Sequence, residues 1–250
     1  MERWQNKVAV ITGASSGIGA AIAKEFVMAG LKVVGLARRT HLIEEMKNSL
    51  PLDKRSQLIA IYCDLSKPES IDKAFDAIIS QCGGIDVLVN NAICFKVSLA
   101  VNMPCNDLQE LVQTNFMAIV HCTQKAFKSM KERNFNGHVI MINSIGGYAV
   151  LDRALFQMPC SNIYSPCKFA LRALTELYRQ EFHGLGTKIK ISSISPGCVN
   201  TESLNEDYRQ ALEHCMLQPH DVSKAVLFML STPPHLQIHD MIIKPLGEKV

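Results

Sequence analysis

Seven short apolar runs recur along the chain: KVAVIT (7–12), KVVGLA (32–37), LIAIYC (58–63), IDVLVN (85–90), HVIMIN (138–143), KISSIS (190–195) and DMIIK (240–244). Most lack the strict apolar–polar alternation of a half-exposed strand, so they predict strands buried on both faces of a parallel sheet. Between them lie patterns with helical spacing. Residues 17–30 carry apolar side chains at 18, 22, 26 and 27 and end in Gly30, a residue suited to the position just past a helix. Residues 68–80 open with Pro68 and acids, which helix N-termini favour. Longer helices are predicted over 106–130 and 163–183, and another over 219–234 has prolines at both ends. Strand and helix alternate from 7 to 195, which predicts an α/β fold: a doubly wound parallel sheet of about seven strands with helices on both faces. No repeat, low-complexity stretch or linker interrupts it, so residues 1–250 read as a single domain. The polar, helix-prone region 200–218 should follow the C-terminal end of a strand, which makes it a candidate lid over a ligand.

The first strand runs into TGASSGIG (12–19), and a helix begins at once. Gly13, Gly17 and Gly19 permit a tight turn and a close backbone approach to a pyrophosphate, while amides at the helix N-terminus favour its charge. A glycine triplet alone is weak; in this strand–turn–helix setting it points to a Rossmann-type dinucleotide site. About 20 residues on, an acid would take the ribose hydroxyls of NAD, whereas arginine accommodates the 2′-phosphate of NADP. The second strand ends in Ala37-Arg38-Arg39, with no acid before Glu44, so NADP(H) is expected, with Arg38 as first candidate and Arg39 as second.

Composition narrows the class. With 48% apolar and 20% charged residues and a net charge of +3, the chain reads as globular, and no basic stripe supports nucleic-acid binding. Nine cysteines without a CxxC pair suit reduced thiols in a cytoplasmic protein better than a disulfide framework. No histidine pair has metal-ligand spacing, so no metal site is expected. The first apolar run begins at Val8, leaving no signal peptide to expect, and no run approaches the length of a membrane span.

Tyr164 and Lys168 stand at i and i+4, on one face of a predicted helix, with Ser161 and Asn162 upstream as N-cap candidates and Pro166 tolerable only in the first turn. A lysine ammonium one turn away and the positive helix end favour the phenolate, which makes Tyr164 a candidate general acid/base. Cys160 and Cys167 flank it without a histidine at a telling spacing and read as packing residues.

These motifs together resemble the short-chain dehydrogenase/reductase family. They are TGASSGIG, CDLS (63–66), NNA (90–92), Asn115 within a helix, Ser144 after the fifth strand, Tyr164-x-x-x-Lys168 and PGCVNT (196–201), in the family's order and over nearly the whole chain. The resemblance implies hydride transfer between nicotinamide and a carbon bearing oxygen. Tyr164 would move the proton, Ser144 bond the substrate oxygen, Lys168 also grip the nicotinamide ribose, and Asn115 anchor a relay water. It implies cofactor contacts from Gly13, Ser15, Ser16, Gly17, Ile18, Gly19, Arg38, Arg39, Asp64, Leu65, Asn91, Ala92, Tyr164, Lys168, Pro196, Gly197, Val199 and Thr201. It also implies a homodimer or homotetramer joined through the two long helices.

Two departures stand out. Ile93 replaces the glycine of the family's NNAG and would be strained if that position needs a positive φ. A family-fold protein that binds NADP(H) as a sensor or structural ligand, with little catalysis, is the competing reading. The separation of Ser144 from Tyr164 is also longer than usual in the family. A stretch so lengthened resembles the branch of farnesol dehydrogenase-like and 17β-hydroxysteroid dehydrogenase-like enzymes. That implies a lipophilic alcohol or ketone, such as an isoprenoid or a steroid, with Leu151, Leu155, Phe156 and Met158 as an apolar wall.

Overall fold

A computed structural model describes residues 1–150, 162–204, 209–210 and 215–248. Seven strands form one parallel sheet in the order β3-β2-β1-β4-β5-β6-β7. They are β1 Val8–Thr12, β2 Lys32–Ala37, β3 Leu58–Tyr62, β4 Val87–Asn90, β5 His138–Ile142, β6 Lys190–Pro196 and β7 Asp240–Ile243. The helices are α1 Gly17–Met28, α2 Thr40–Asn48, α3 Pro68–Cys82, α4 Cys105–Val112, α5 Ala118–Glu132, α6 Tyr164–Gly184 and α7 Pro219–Ser231. Among the described residues, no helix is long and apolar enough to cross a membrane.

Alternation within each strand sorts side chains onto two cores. Ala9 and Ile11 of β1 join Ile22 and Phe26 of α1, Ile43 of α2 and Val226 of α7 on one face. Val8 and Val10 join Phe75 of α3, Ala126 of α5 and Leu171 of α6 on the other. Both faces of the central strands are therefore apolar, as a parallel sheet wrapped by helices requires. Each fully buried Ile or Phe here contributes about 1.5–3 kcal/mol of transfer free energy.

The helix predicted over 106–130 is three pieces. A π-helical turn, Gln113–Met117, separates α4 from α5 and buries Asn115. One such widened turn re-aims a side chain without ending the helix, and hydrophobic periodicity carries no sign of it. α1 stops at Met28, and Gly30 takes φ +92°, the left-handed step that lets the chain turn into β2. α2 lies in a stretch for which no helix was predicted.

At the end of the sheet away from the strand C-termini, β5 opens with a fully buried His138 whose Nε2 lies 2.9 Å from Ser192 Oγ. Burial, followed by the charges of Lys190 and Arg3, holds its pKa down to about 3 against an ordinary 6.5. The unfolded chain therefore binds a proton here that the folded protein refuses. The stabilisation is complete above pH 6.5 and is lost as pH falls toward 3. At pH 5 it amounts to a loss of about 2 kcal/mol relative to neutral pH. His138→Gln should flatten that part of the profile, read as a smaller drop in urea midpoint between pH 7 and pH 5 than wild type shows.

Candidate functional site

The strand order reverses between β1 and β4, and the loops leaving the C-terminal ends of β1 to β6 surround a cavity of about 1070 Å³. That is where an open α/β sheet binds its ligand. The crossing is held by Thr12, the last residue of β1. Its hydroxyl accepts the backbone amides of Asn91 (2.9 Å) and Ala92 (3.0 Å), and the Asn91 amide group donates back to the Thr12 carbonyl at 2.8 Å. Gly13 takes φ +68°, and a Cβ there would stand 2.9 Å from Ala92 Cα. Gly19 has an ordinary φ, but its Cβ would meet the Gly13 carbonyl at 2.3 Å. One glycine serves the turn and the other lets α1 press against it. No side chain caps α1, so its first-turn amides are left for an anion.

The opposite wall of this end is basic. Arg39 donates to Ser16 Oγ at 3.1 Å and pairs loosely with Glu202 at 3.7 Å, both of them exposed. Such an exposed pair is worth little and yields easily to a better anion. Arg38 acts on Asp64 instead. Burial of Asp64 opposes ionisation, but hydrogen bonds from Ser66 and the charges of Arg38 and Lys67 hold its pKa below the ordinary value. The second candidate from the sequence, Arg39, is thus the one bonded to the glycine turn. Every residue expected to contact a nucleotide lines this cavity except Gly19, which lies behind the turn. A glycine cradle, uncapped amides and two arginines are a donor set that fits a phosphorylated dinucleotide.

The other end gathers the proton-transfer candidates. Ser144 follows β5 and accepts from the Gly146 amide at 3.0 Å. Tyr164 opens α6, its amide held by Asn162 Oδ1 at 3.2 Å. Phe95 meets the Tyr164 ring edge-on, with centroids 5.4 Å apart. Lys168 is 2% exposed; its Nζ lies 5.4 Å from the centre of the Tyr164 ring and donates to the Ile142 carbonyl at 2.9 Å.

The expectation that Lys168 depresses the tyrosine pKa is not met. Burial raises the Tyr164 pKa, and the hydrogen bond with Ser144 lowers it only in part. Lys168 is itself buried, which brings its pKa down to about 8, and its ammonium is engaged by a carbonyl rather than the phenol. Burial likewise raises the pKa of Cys167, which remains a packing thiol.

Asn115 does not line the cavity. Its Oδ1 accepts the Cys94 amide and its Nδ2 donates to the Cys94 carbonyl, each at 2.7 Å, so it clamps the loop after β4 from behind. Ile93 on that loop is 42% exposed and faces the cavity. It is absent from the non-glycine residues with positive φ, so the feared strain does not arise. Phe95, Val97 and Glu248 also line the cavity and went unmarked in the sequence. Phe95 and Val97 carry no periodic or motif signal, and Glu248 lies more than 80 residues from Tyr164. Leu151, Leu155, Phe156 and Met158, with Cys160, Ser161 and much of 200–218, lie outside the described residues.

Comparison with known proteins agrees with this geometry. Residues 7–212 match the short chain dehydrogenase family. A farnesol dehydrogenase of Aedes aegypti is 47% identical over the full length of both chains. Human dehydrogenase/reductase SDR family member 11 is 40% identical, covering 98% of this chain and 96% of its own. Among solved structures, the closed form of a serine dehydrogenase complexed with NADP+ superposes with a TM-score of 0.84 at 26% identity. It covers 97% of this chain and 96% of its own.

The Asn115 clamp can be tested directly. Asn115→Ala removes two short hydrogen bonds from a buried site and should cost about 2 kcal/mol in stability. Hydrogen exchange of the amides over 93–97 should accelerate well beyond that of the β4 core, because the loop loses its anchor. Uniform acceleration across the sheet would contradict a local clamp.

Proposed function

Since the chain belongs to the short-chain dehydrogenase/reductase family, an oxidoreductase family, we propose that it interconverts a lipophilic alcohol and its carbonyl compound using NADP(H). The observation that carries this reading is one cavity with two ends: a glycine turn flanked by Arg38 and Arg39, and the group Ser144, Tyr164 and Lys168. Arginine beside a 2′-phosphate forms charge-assisted, forked bonds that NAD would leave unused. The NADP+ complex of the serine dehydrogenase relative supports the same choice. The nicotinamide, when bound, supplies hydride chemistry.

The protein's own part is orientation and proton movement. In reduction, the Tyr164 hydroxyl gives its proton to the substrate oxygen as the carbon receives hydride; in oxidation, the phenolate takes that proton back. Ser144 hydrogen-bonds the same oxygen and fixes its distance. Lys168 presents a buried cation beside Tyr164 and a donor for a ribose hydroxyl. The wall formed by Ile93, Phe95 and Val97 suits an apolar substrate body. The relative's name, farnesol dehydrogenase, favours an isoprenoid alcohol within that class. The sensor reading drew on strain at Ile93, and without that strain no observation favours it.

Three outcomes follow. Tyr164→Phe should lower turnover at least about a thousandfold while NADPH still binds, since general acid–base assistance and the hydrogen bond to the reacting oxygen are lost together; a near-normal rate would refute the role. NADPH should outperform NADH at equal low concentration, and Arg39→Leu should narrow the gap. Because burial raises the Tyr164 pKa, the phenol stays protonated through neutral pH. Carbonyl reduction should therefore hold its rate there, while alcohol oxidation climbs as pH rises, measured in both directions on one farnesol–farnesal pair.

A further inference from the structure

Four carboxylates line the cavity among the described residues: Asp64, Glu110, Glu202 and Glu248. Three have a cation in reach. Lys67 stands 3.9 Å from Asp64, Lys96 2.5 Å from Glu110, and Arg39 3.7 Å from Glu202. Glu248 has no ion pair among the described residues. Its Oε1 accepts the Cys198 amide at 2.8 Å, and its Oε2 is buried with no hydrogen-bond partner. A carboxylate oxygen left in that condition is costly unless a ligand completes it.

The position of Glu248 follows from the backbone. Ile142 of β5 pairs with Ile194 of β6, so the end of β6 at Pro196 runs beside the Ser144 turn. The Gly197 amide donates to the Ile243 carbonyl at 2.8 Å, which draws the segment after β7 alongside. Gly247, at φ +91°, turns the tail, and Glu248 settles on Gly197. A Cβ at residue 197 would lie 2.1 Å from Glu248 Oε2, so the carboxylate occupies the space that the glycine leaves open. The carboxylate therefore rests against the loop after β6, which runs beside the Ser144 turn and is expected to contact the cofactor.

We propose that Glu248 is a positioning residue that selects the oxidation state of the cofactor, favouring oxidised NADP+ over NADPH. The inference rests on the NADP(H) reading above. The oxidised nicotinamide ring carries a positive charge and the reduced ring carries none. An unpaired carboxylate in a partly desolvated cleft is attracted to the first and indifferent to the second. Such a residue tilts the bound equilibrium toward NADP+ and alcohol, the direction of carbonyl reduction, without touching the reacting atoms.

The test is calorimetric titration of NADP+ and NADPH, separately, into wild type, Glu248→Gln and Glu248→Ala, with melting temperatures to verify folding. Glutamine keeps an acceptor for the Cys198 amide and removes the charge. It should weaken NADP+ on the order of fivefold and leave NADPH unchanged or tighter. Alanine should reproduce the NADP+ loss. Equal weakening of both nucleotides would mean a purely structural role and overturn the proposal, as would unchanged NADP+ affinity in Glu248→Gln. Wild type that binds neither nucleotide would instead remove the NADP(H) reading itself, and the proposal with it.

Discussion

The hydroxyl of Thr12 ties the ends of β1 and β4 together at the point where the strand order reverses. It accepts two backbone amides from the β4 loop and lies 3.4 Å from the Val89 carbonyl as its own acceptor. A hydroxyl can offer one donor and two acceptor sites, so this one is fully used. Without that tie, the two loops that form the floor of the cleft would have no fixed spacing. The glycine turn on one side and the Asn91–Val97 segment on the other take their positions from it. Asn115 then holds the second segment from behind, and the π-helical turn is the device that aims it.

Burial, more than charge, governs the reacting end. Tyr164 and Lys168 both pay for removal from water, and each is pushed toward its neutral form. The two groups are therefore poised against each other across a short distance rather than locked as an ion pair. A neutral phenol is a proton donor, and a lysine with a pKa of about 8 responds to small changes in its surroundings. A cationic ring arriving in the cleft would be such a change. Glu248, without an ion pair among the described residues, rests against the loop after β6 and makes the site's field asymmetric, with Arg38 and Arg39 on the other side of the cavity.

Some features were legible from residue types and spacing alone. The seven strands, the parallel sheet and the two apolar cores follow from short β-branched runs with no polar alternation, because only a sheet covered on both faces can use them. The glycine turn and the Tyr164–Lys168 pair are local motifs whose geometry is contained in a few residues. The adjacent arginines after β2 could be read in the same way.

Other features depended on contacts between distant segments. Whether Ile93 is strained is a question of backbone angle, and the loop it occupies is shaped by Thr12 and Asn115 rather than by its own sequence. Which arginine reaches the turn depends on where α2 begins relative to Ser16. The direction of the Tyr164 pKa depends on how deeply the phenol is buried and on what engages Lys168, neither of which spacing reveals. Glu248 enters the cleft because β7 pairs with β6 and Gly197 leaves room for it. Local chemistry was determined by the sequence itself. Desolvation, backbone conformation and the meeting of remote side chains were decided by the tertiary structure, because they are properties of packing and not of order along the chain.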